Sequence, residues 1–287
     1  MRYISLCSGI DAASVAWKPL GWDPLAFAEI EKFPSAVLAH HYPDVPNLGD
    51  ITKYQEWPDF GAVDLVCGGT PCQDASIGYS AGTGNAGKGL DGPRSGLAFS
   101  FFGTVERYQP VWFVWENVRN VLSRRNKPGF LRFAEKLAGS GYHLAYRVLD
   151  GRLFGLEDQP RPRVFMVGHR GDPRAAAAVL FEPEGSGRNS PQIQNTAPTL
   201  TARGGMAFDD RTPCILEESG PRIATPLEWE RACGFPDNYT RIPWRGNPAE
   251  QCPDGPRYRA VGNSWDISTA RWIGERIQVV SNRLAAA

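Results

Sequence analysis

No stretch of the 287-residue chain approaches the roughly 18 consecutive apolar residues that a membrane-spanning helix needs, although 42% of its residues are hydrophobic. The N-terminus, Met1-Arg-Tyr-Ile-Ser-Leu6, runs straight into a strand pattern without the basic and apolar regions of a secretory signal, so a cytoplasmic protein is expected. Cysteine is sparse and scattered. Cys7, Cys67, Cys72, Cys214, Cys233 and Cys252 form neither a CxxC pair nor a compact cluster with histidine. That spacing argues against a zinc site and a disulfide framework, and free thiols fit a reducing compartment. Nor is there an excess of charge, with 31 basic residues against 31 acidic ones. A generic coat for polyanions is therefore excluded, but a local cationic face is not. Internal repeats are missing too.

What is present reads as one large α/β domain with a satellite. Arg2–Leu6 is a strand pattern, Cys7-Ser8-Gly9-Ile10 a small-residue turn, and Asp11 to Trp17 a short helix with Asp11 in its first turn. Strand, glycine turn and helix open a nucleotide-binding unit, whose helix N-terminus faces a ligand. The glycine pattern falls short of GxGxxG, and an acidic helix start suits a cationic or zwitterionic ligand better than a phosphate. Asp23 to Ala28 forms a second strand ending at Glu29-Ile30, where ribose hydroxyls are commonly gripped. Asp50, followed by Ile51, offers a second acidic loop residue. Further helices are expected over Phe33–His41, Ser95–Tyr108, Pro128–Ser140 and Thr225–Cys233, with Thr225 as N-cap and Pro226 behind it. Arg257 to Ser264 reads as a turn before a final amphipathic helix.

Three segments carry candidate chemistry. The run Val63, Leu65, Val66 reads as a buried strand leaving through Gly68-Gly69, which would place Cys72 just beyond a strand exit. A glycine-rich loop with Lys88 and Arg94 follows, so the thiol resembles a nucleophile facing a polyanion. Val111 to Trp115 reads as a central strand buried on both faces and ending in Glu116-Asn117-Val118. Burial there raises a carboxyl's pKa and lets it carry a proton near neutrality. Arg161 and Arg163, two apart in an extended segment, point the same way and suit a carboxylate, a phosphate or a base edge. An ordinary βα turn, a helix cap or ion pair, and a surface arginine pair are the structural alternatives to these three readings.

Taken together and in order, Ser8-Gly9-Ile10, Gly68-Gly-Thr-Pro-Cys72-Gln73, Glu116-Asn-Val118, Gln159-x-Arg161-x-Arg163, Gly234-Phe-Pro-Asp237 and Gly262-Asn263-Ser264 resemble the DNA cytosine-C5 methyltransferases. The compact length and the Gly-Thr-Pro-Cys form look most like small phage, prophage or bacterial members. The resemblance implies a Rossmann-like, S-adenosylmethionine-dependent methyltransferase sheet over residues 1–171. It also implies a small, loop-rich target-recognition lobe over 172–224 and a C-terminal segment, 225–287, whose last helix returns to the catalytic domain. Cys72 would be the nucleophile at C6 of a flipped-out cytosine, Glu116 would hold N3, and Arg163, assisted by Arg161, would hold Glu116 and the base. Cys7, Ser8, Gly9, Ile10 and Asp11 would line the S-adenosyl-L-methionine site, with Glu29 on the ribose, Ile30 and Ile51 on the adenine faces and Asp50 on its amino group. Pro71, Leu97, Asn263 and Ser264 would complete it, and S-adenosyl-L-homocysteine would be the product. Gln73, Ser76, Lys88 and Arg94 would close over double-stranded DNA, while Thr199, Leu200, Arg203 and Gly204 would read its sequence. The resemblance calls for no metal, no membrane and a monomer. It does not specify a recognition sequence or a companion restriction enzyme.

Departures from the family pattern lie around both ligands. Asp11-Ala12 replaces two glycines, Cys7 an aromatic, Ile30 a tryptophan, Thr70 a proline and Ala75 a phenylalanine. None removes a group that performs chemistry. Rival readings are an RNA cytosine methyltransferase and a catalytically silent DNA-binding relative, the second disfavoured by intact Cys72, Glu116 and Arg163. A thiol hydrolase is poorer still, because no histidine lies near a cysteine in sequence.

Overall fold

The computed structural model describes residues 1–71, 96–151, 161–181, 214–217 and 220–286, with 214–217 and 220–221 described as backbone alone. Six strands form one sheet: β1 Arg2–Leu6, β2 Asp23–Ala28, β3 Leu65–Gly69, β4 Trp112–Val118, β5 Tyr142–Asp150 and β6 Pro162–Arg170. Their order is β2-β1-β3-β4-β6-β5. The first four neighbours are parallel, and β6 is antiparallel to both β4 and β5. Chain order therefore runs outward from β1 in both directions, which leaves a crevice beyond the carboxyl ends of β1 and β3. Strands β1 and β2 have the limits that the sequence pattern predicts.

Helices cover both faces. On one side lie α1 Ala12–Trp17, α5 Ala175–Leu180 and the long α8 Ile267–Ala285; on the other lie α3 Leu97–Tyr108 and α4 Lys127–Gly139. Alternation along β4 explains why both layers are needed. Trp112 and Val114 enter the first core, Phe113 and Trp115 the second. A helix α2, Lys32–His41, follows β2. A two-stranded hairpin of β7 Cys214–Glu217 and β8 Gly220–Ile223 leads into α6 Pro226–Ala232. Thr225 caps that helix in a capping box with Glu228, as the sequence predicts.

Five local expectations change. The Arg257–Ser264 segment is no turn: Asp254–Asn263 is a helix, α7. Pro256 sits in its first turn, where a missing N–H costs nothing. Its inward anchor is polar. Arg257, 6% exposed, pairs with Glu230 of α6 at 3.2 Å and donates to Thr240 Oγ1. An apolar-periodicity search misses a helix anchored in this way. Asp11 is the N-cap of α1 rather than part of its first turn. Gly68 and Gly69 belong to β3 and make no exit turn. Glu116 likewise lies within β4 rather than beyond it. Helix α5, which falls inside the segment expected as a separate lobe, packs its Ala175, Ala176, Val179 and Leu180 into the main core.

Candidate active site at the carboxyl edge of the sheet

The glycines of β3 earn their place by close approach. A Cβ at Gly68 would stand 2.4 Å from the Leu6 carbonyl oxygen of β1, and one at Gly69 would stand 2.6 Å from Glu116 Oε2 and 2.8 Å from Trp265 Nε1. Any side chain here would fill the crevice. The crevice holds about 370 Å³ of space open to solvent, between the turn Cys7–Gly9, Asp11 to Ala13, Gly68, Gly69, Glu116 and the α7–α8 junction Asn263-Ser264-Trp265. Cys7, Ser8, Gly9, Asp11, Asn263 and Ser264 of the expected cofactor set thus meet one wall of the same pocket as Glu116. Ile10 does not line it, being fully buried beneath the turn with its carbonyl accepting from Tyr239.

The turn itself is bent sharply. Cys7, Gly9 and Asp11 have φ values of 49°, 56° and 53°, all in the left-handed region. Only glycine adopts this without strain, although aspartate tolerates it better than most. Asp11 steadies it by accepting from Ser14 N and Ser5 Oγ. Glu29, directly after β2, accepts from Gly9 N at 2.8 Å and Glu31 N at 2.7 Å, which ties the turn to the second strand. Burial nevertheless pushes Glu29's pKa up. Ile30 beside it is 70% exposed. Asp50 caps the short 3₁₀ segment beginning at Ile51, and the bonds it accepts from Thr52 hold its pKa down. Ile51 and Leu97 pack with the second core, Ile51 buried and Leu97 half-buried.

Glu116 shares the α7–α8 face of the sheet, since it follows Val114 by two residues. It is 9% exposed, and Arg163 Nε lies 3.2 Å from its Oε1. The pairing register explains the contact: Phe165 of β6 stands opposite Glu116, so Arg163, two residues back, is its diagonal neighbour. Burial raises the Glu116 pKa, and Arg163, Arg161 and the Trp265 indole oppose that shift only in part. A buried carboxyl whose pKa is raised by burial and which is held by an arginine is equipped to donate or accept one proton. Arg161, on the same face, is spent differently. Its guanidinium bonds the Gly262 and Ser264 carbonyls and Cys233 Sγ, while its Nε has no partner among the described residues. It positions the α7–α8 junction and adds charge near Glu116.

The sequence reading gave no role to Asn117 or Trp265. Asn117 Nδ2 donates to the Thr70 carbonyl at 3.1 Å, and Trp115 Nε1 donates to Thr70 Oγ1 at 3.0 Å. These two bonds pin the residue from which the chain leaves β3 toward Pro71. They also show what a threonine provides where the family pattern has a proline. Trp265 was legible only as an aromatic next to Asn263-Ser264. Among the described residues, no His, Cys, Asp and Glu group could hold a metal. No described helix is long and apolar enough to cross a membrane. Cys72, Gln73, Ser76, Lys88, Arg94, Thr199, Leu200, Arg203 and Gly204 lie outside the described residues.

Residues 1–199 match the family model of the C-5 cytosine-specific DNA methylases. The chain belongs to this family. As a C-5 methylase family member it has relatives in phage and bacteria. It is 28% identical to a phage P1 protein named DNA N-6-adenine-methyltransferase, across 96% of this chain and 61% of that one. It is 29% identical to the type II methyltransferase M2.BsuMI of Bacillus subtilis, across 96% of this chain and 75% of that one. The chain therefore spans less than two thirds of the phage relative's length. Among solved structures, the S. pombe Dnmt2 methyltransferase superposes with a TM-score of 0.70 at 14% identity, covering 99% of both chains. That likeness supports the α/β methyltransferase fold.

The Gly69 geometry yields an expected result. Gly69→Ala forces the Glu116 carboxylate or the Trp265 indole to move, at a cost of about 1–3 kcal/mol of stability. A 1 Å shift of a reacting group can reduce turnover about a hundredfold. Methyl transfer should fall in that range while a modest drop in melting temperature shows that the fold survives. Wild-type turnover in this variant would show that the crevice is not where the chemistry occurs.

Proposed function

We propose that the protein is a DNA cytosine-C5 methyltransferase. The observation that carries this reading is the pairing of buried Glu116 with half-buried Arg163 at a crevice beyond the carboxyl ends of β1, β3 and β4. It stands in a chain whose first 199 residues match the C-5 methylases. Cytosine C5 is a weak nucleophile. Addition of the Cys72 thiolate at C6 pushes the ring electrons toward C5 and N3, and a proton shared with Glu116 at N3 stabilises that charge. Arg163 fixes the carboxyl's orientation. After methylation, loss of the C5 proton restores the double bond and expels the thiolate. Because the target sits inside a duplex, it is flipped out at a cost of a few kcal/mol.

The pocket suits the methyl donor. It combines a small-residue turn with two strand glycines that have no side chains. Glu29, which accepts from Gly9 N of that turn, and Asp50 stand outside its lining and would serve hydroxyl and amino groups. Cys7, Ser8, Gly9, Glu29, Asp50, Asn263 and Ser264 would hold S-adenosylmethionine, which when bound supplies a methyl group activated by its sulfonium. Gln73, Ser76, Lys88 and Arg94 would close over the DNA, and Thr199, Leu200, Arg203 and Gly204 would contact bases. Arginine's bidentate fit to guanine makes Arg203 the leading contact. The recognition lobe would begin beyond α5, since that helix belongs to the main core. A monomer working in the cytoplasm completes the reading.

The test is nucleoside mass spectrometry of duplex DNA incubated with the protein and S-adenosylmethionine. 5-Methyldeoxycytidine is expected, and bisulfite sequencing then gives the site. N6-methyldeoxyadenosine instead would transfer the reading to the activity in the phage relative's name. Methylation of tRNA but not of DNA would favour the RNA enzyme.

A further inference from the structure

The crevice contains a second buried carboxylate that the proposed chemistry does not use. Asp11 is 1% exposed and lines the pocket. Its Oδ1 accepts from Ser5 Oγ at 2.7 Å and its Oδ2 accepts from Ser14 N at 3.1 Å. Both donors are neutral. Ser14 Oγ is itself 2.5 Å from the Tyr3 phenol oxygen. The other titratable groups that feel Asp11 are Tyr3 and Cys67 from β1 and β3, with Tyr42 and Tyr239 behind the turn. Burial, together with the Asp11 charge, pushes each of them further from ionising. Glu116, across the pocket, is acidic as well. No lysine, arginine or histidine among the described residues pairs with Asp11. A buried charge with no counter-ion is costly, and protein cores avoid it unless a ligand or metal completes the pair. The cofactor pocket has its carboxylate where the family pattern has a glycine, at a left-handed position that Asp occupies as helix cap.

We infer that Asp11 is the pocket's built-in counter-charge for a cationic ligand group, and that it sets the affinity for the onium centres of the methionine portion of the methyl donor. The inference rests on reading this crevice as the cofactor site. The free pocket pays in stability for a charge that only the ligand neutralises. Burial raises Asp11 from an ordinary 3.8 to about 6. A carboxyl raised by folding stabilises the native state below its unfolded value, and that contribution is lost as pH rises from about 4 through about 6. A bound cation reverses the preference, so ligand affinity should weaken as Asp11 takes up its proton below about 6.

Asp11→Asn removes the charge but keeps the cap, its amide oxygen accepting from Ser14 N and its NH2 donating to Ser5 Oγ, and it tolerates the left-handed backbone. Calorimetric binding to the full chain, without DNA, would use three probes: S-adenosylmethionine with sulfonium and ammonium, S-adenosylhomocysteine with ammonium alone, and methylthioadenosine with neither. For S-adenosylmethionine we expect roughly tenfold weaker binding in the variant at pH 7.5, a difference of about 1.4 kcal/mol. The fall in affinity toward pH 5 should disappear, and the ligand-free variant should melt higher than the wild type. Loss confined to S-adenosylmethionine assigns the counter-charge to the sulfonium; equal loss with S-adenosylhomocysteine assigns it to the ammonium. An equal loss with methylthioadenosine, unchanged affinity for all three, or a lower melting temperature would overturn the inference by making Asp11 a structural cap. If the wild type binds none of the probes, the cofactor reading of the pocket falls with it.

Discussion

Glu116→Gln is expected to reduce methyl transfer by about 10²–10⁴-fold while leaving DNA and cofactor affinity close to wild type. Glutamine has the shape of glutamate, and its one amide oxygen can still accept from Arg163 while its NH2 takes the place of the second acceptor beside Trp265, so the side chain stays in position and proton exchange is lost. Position explains the size of the effect. Glu116 sits within β4, 9% exposed, with Arg163 Nε 3.2 Å away and Gly69 giving it room. Burial is the largest influence on its pKa and raises it, and the arginines oppose that rise. The fold therefore binds the Glu116 proton more tightly than the unfolded chain does. Its stabilising contribution is present at low pH and lost as pH rises through the raised value. Glutamine has no proton to exchange, so the variant's stability should lack that component. Single-turnover transfer, with separate measurement of DNA binding, distinguishes lost chemistry from lost affinity. Unchanged turnover would remove Glu116 from the reaction.

The parts of this site that sequence could reveal are those where one residue type has one use. Strands β1 and β2 were legible because alternating or continuous apolar runs end at small residues. Glu116 was legible as an acid following five apolar residues. Two arginines spaced by two in an extended segment share a face, and both do lie on the Glu116 side of the sheet. Sequence could not reveal how the pair divides. Arg163 meets the carboxylate, whereas Arg161 reaches the Gly262 and Ser264 carbonyls about a hundred residues later in the chain. The same limit applies to Gly68 and Gly69. A glycine pair suits a turn or a close approach equally well, and only the Leu6 and Glu116 neighbours decide between them. Helix α7 escaped because its inner face begins with Arg257, paired with Glu230, and only the small Ala260 and Val261 follow it into the core. Asn117 and Thr70 escaped because each bond depends on the β3–β4 register.

Cys72 carries the expectation with the largest effect. Thr70, the third residue of Gly68-Gly-Thr-Pro-Cys72, is 3% exposed and fixed by Asn117 and Trp115. With Pro71 restricting the backbone next, the segment that carries the thiol leaves from an anchored point beside the Glu116 crevice. A free cysteine has a pKa near 8.5, so only a few per cent is thiolate at neutral pH, and addition to a pyrimidine needs that thiolate. If Cys72 adds at C6, replacing the C5 hydrogen of the target with fluorine should block the final elimination, because fluorine cannot leave as a cation. A duplex containing 5-fluorocytosine at the methylated position, incubated with S-adenosylmethionine, should then form a protein–DNA adduct that resists denaturation. Peptide mapping should place the adduct at Cys72. Cys72→Ala should abolish it and lower turnover by on the order of 10³-fold or more, as loss of a nucleophile generally does. DNA binding should persist, since removing one thiol leaves the phosphate contacts in place. An adduct that survives in Cys72→Ala would mean that another group attacks the base. If no adduct forms at a site that the wild type methylates, methyl transfer here proceeds without covalent addition, and Glu116 would then have to activate the ring alone.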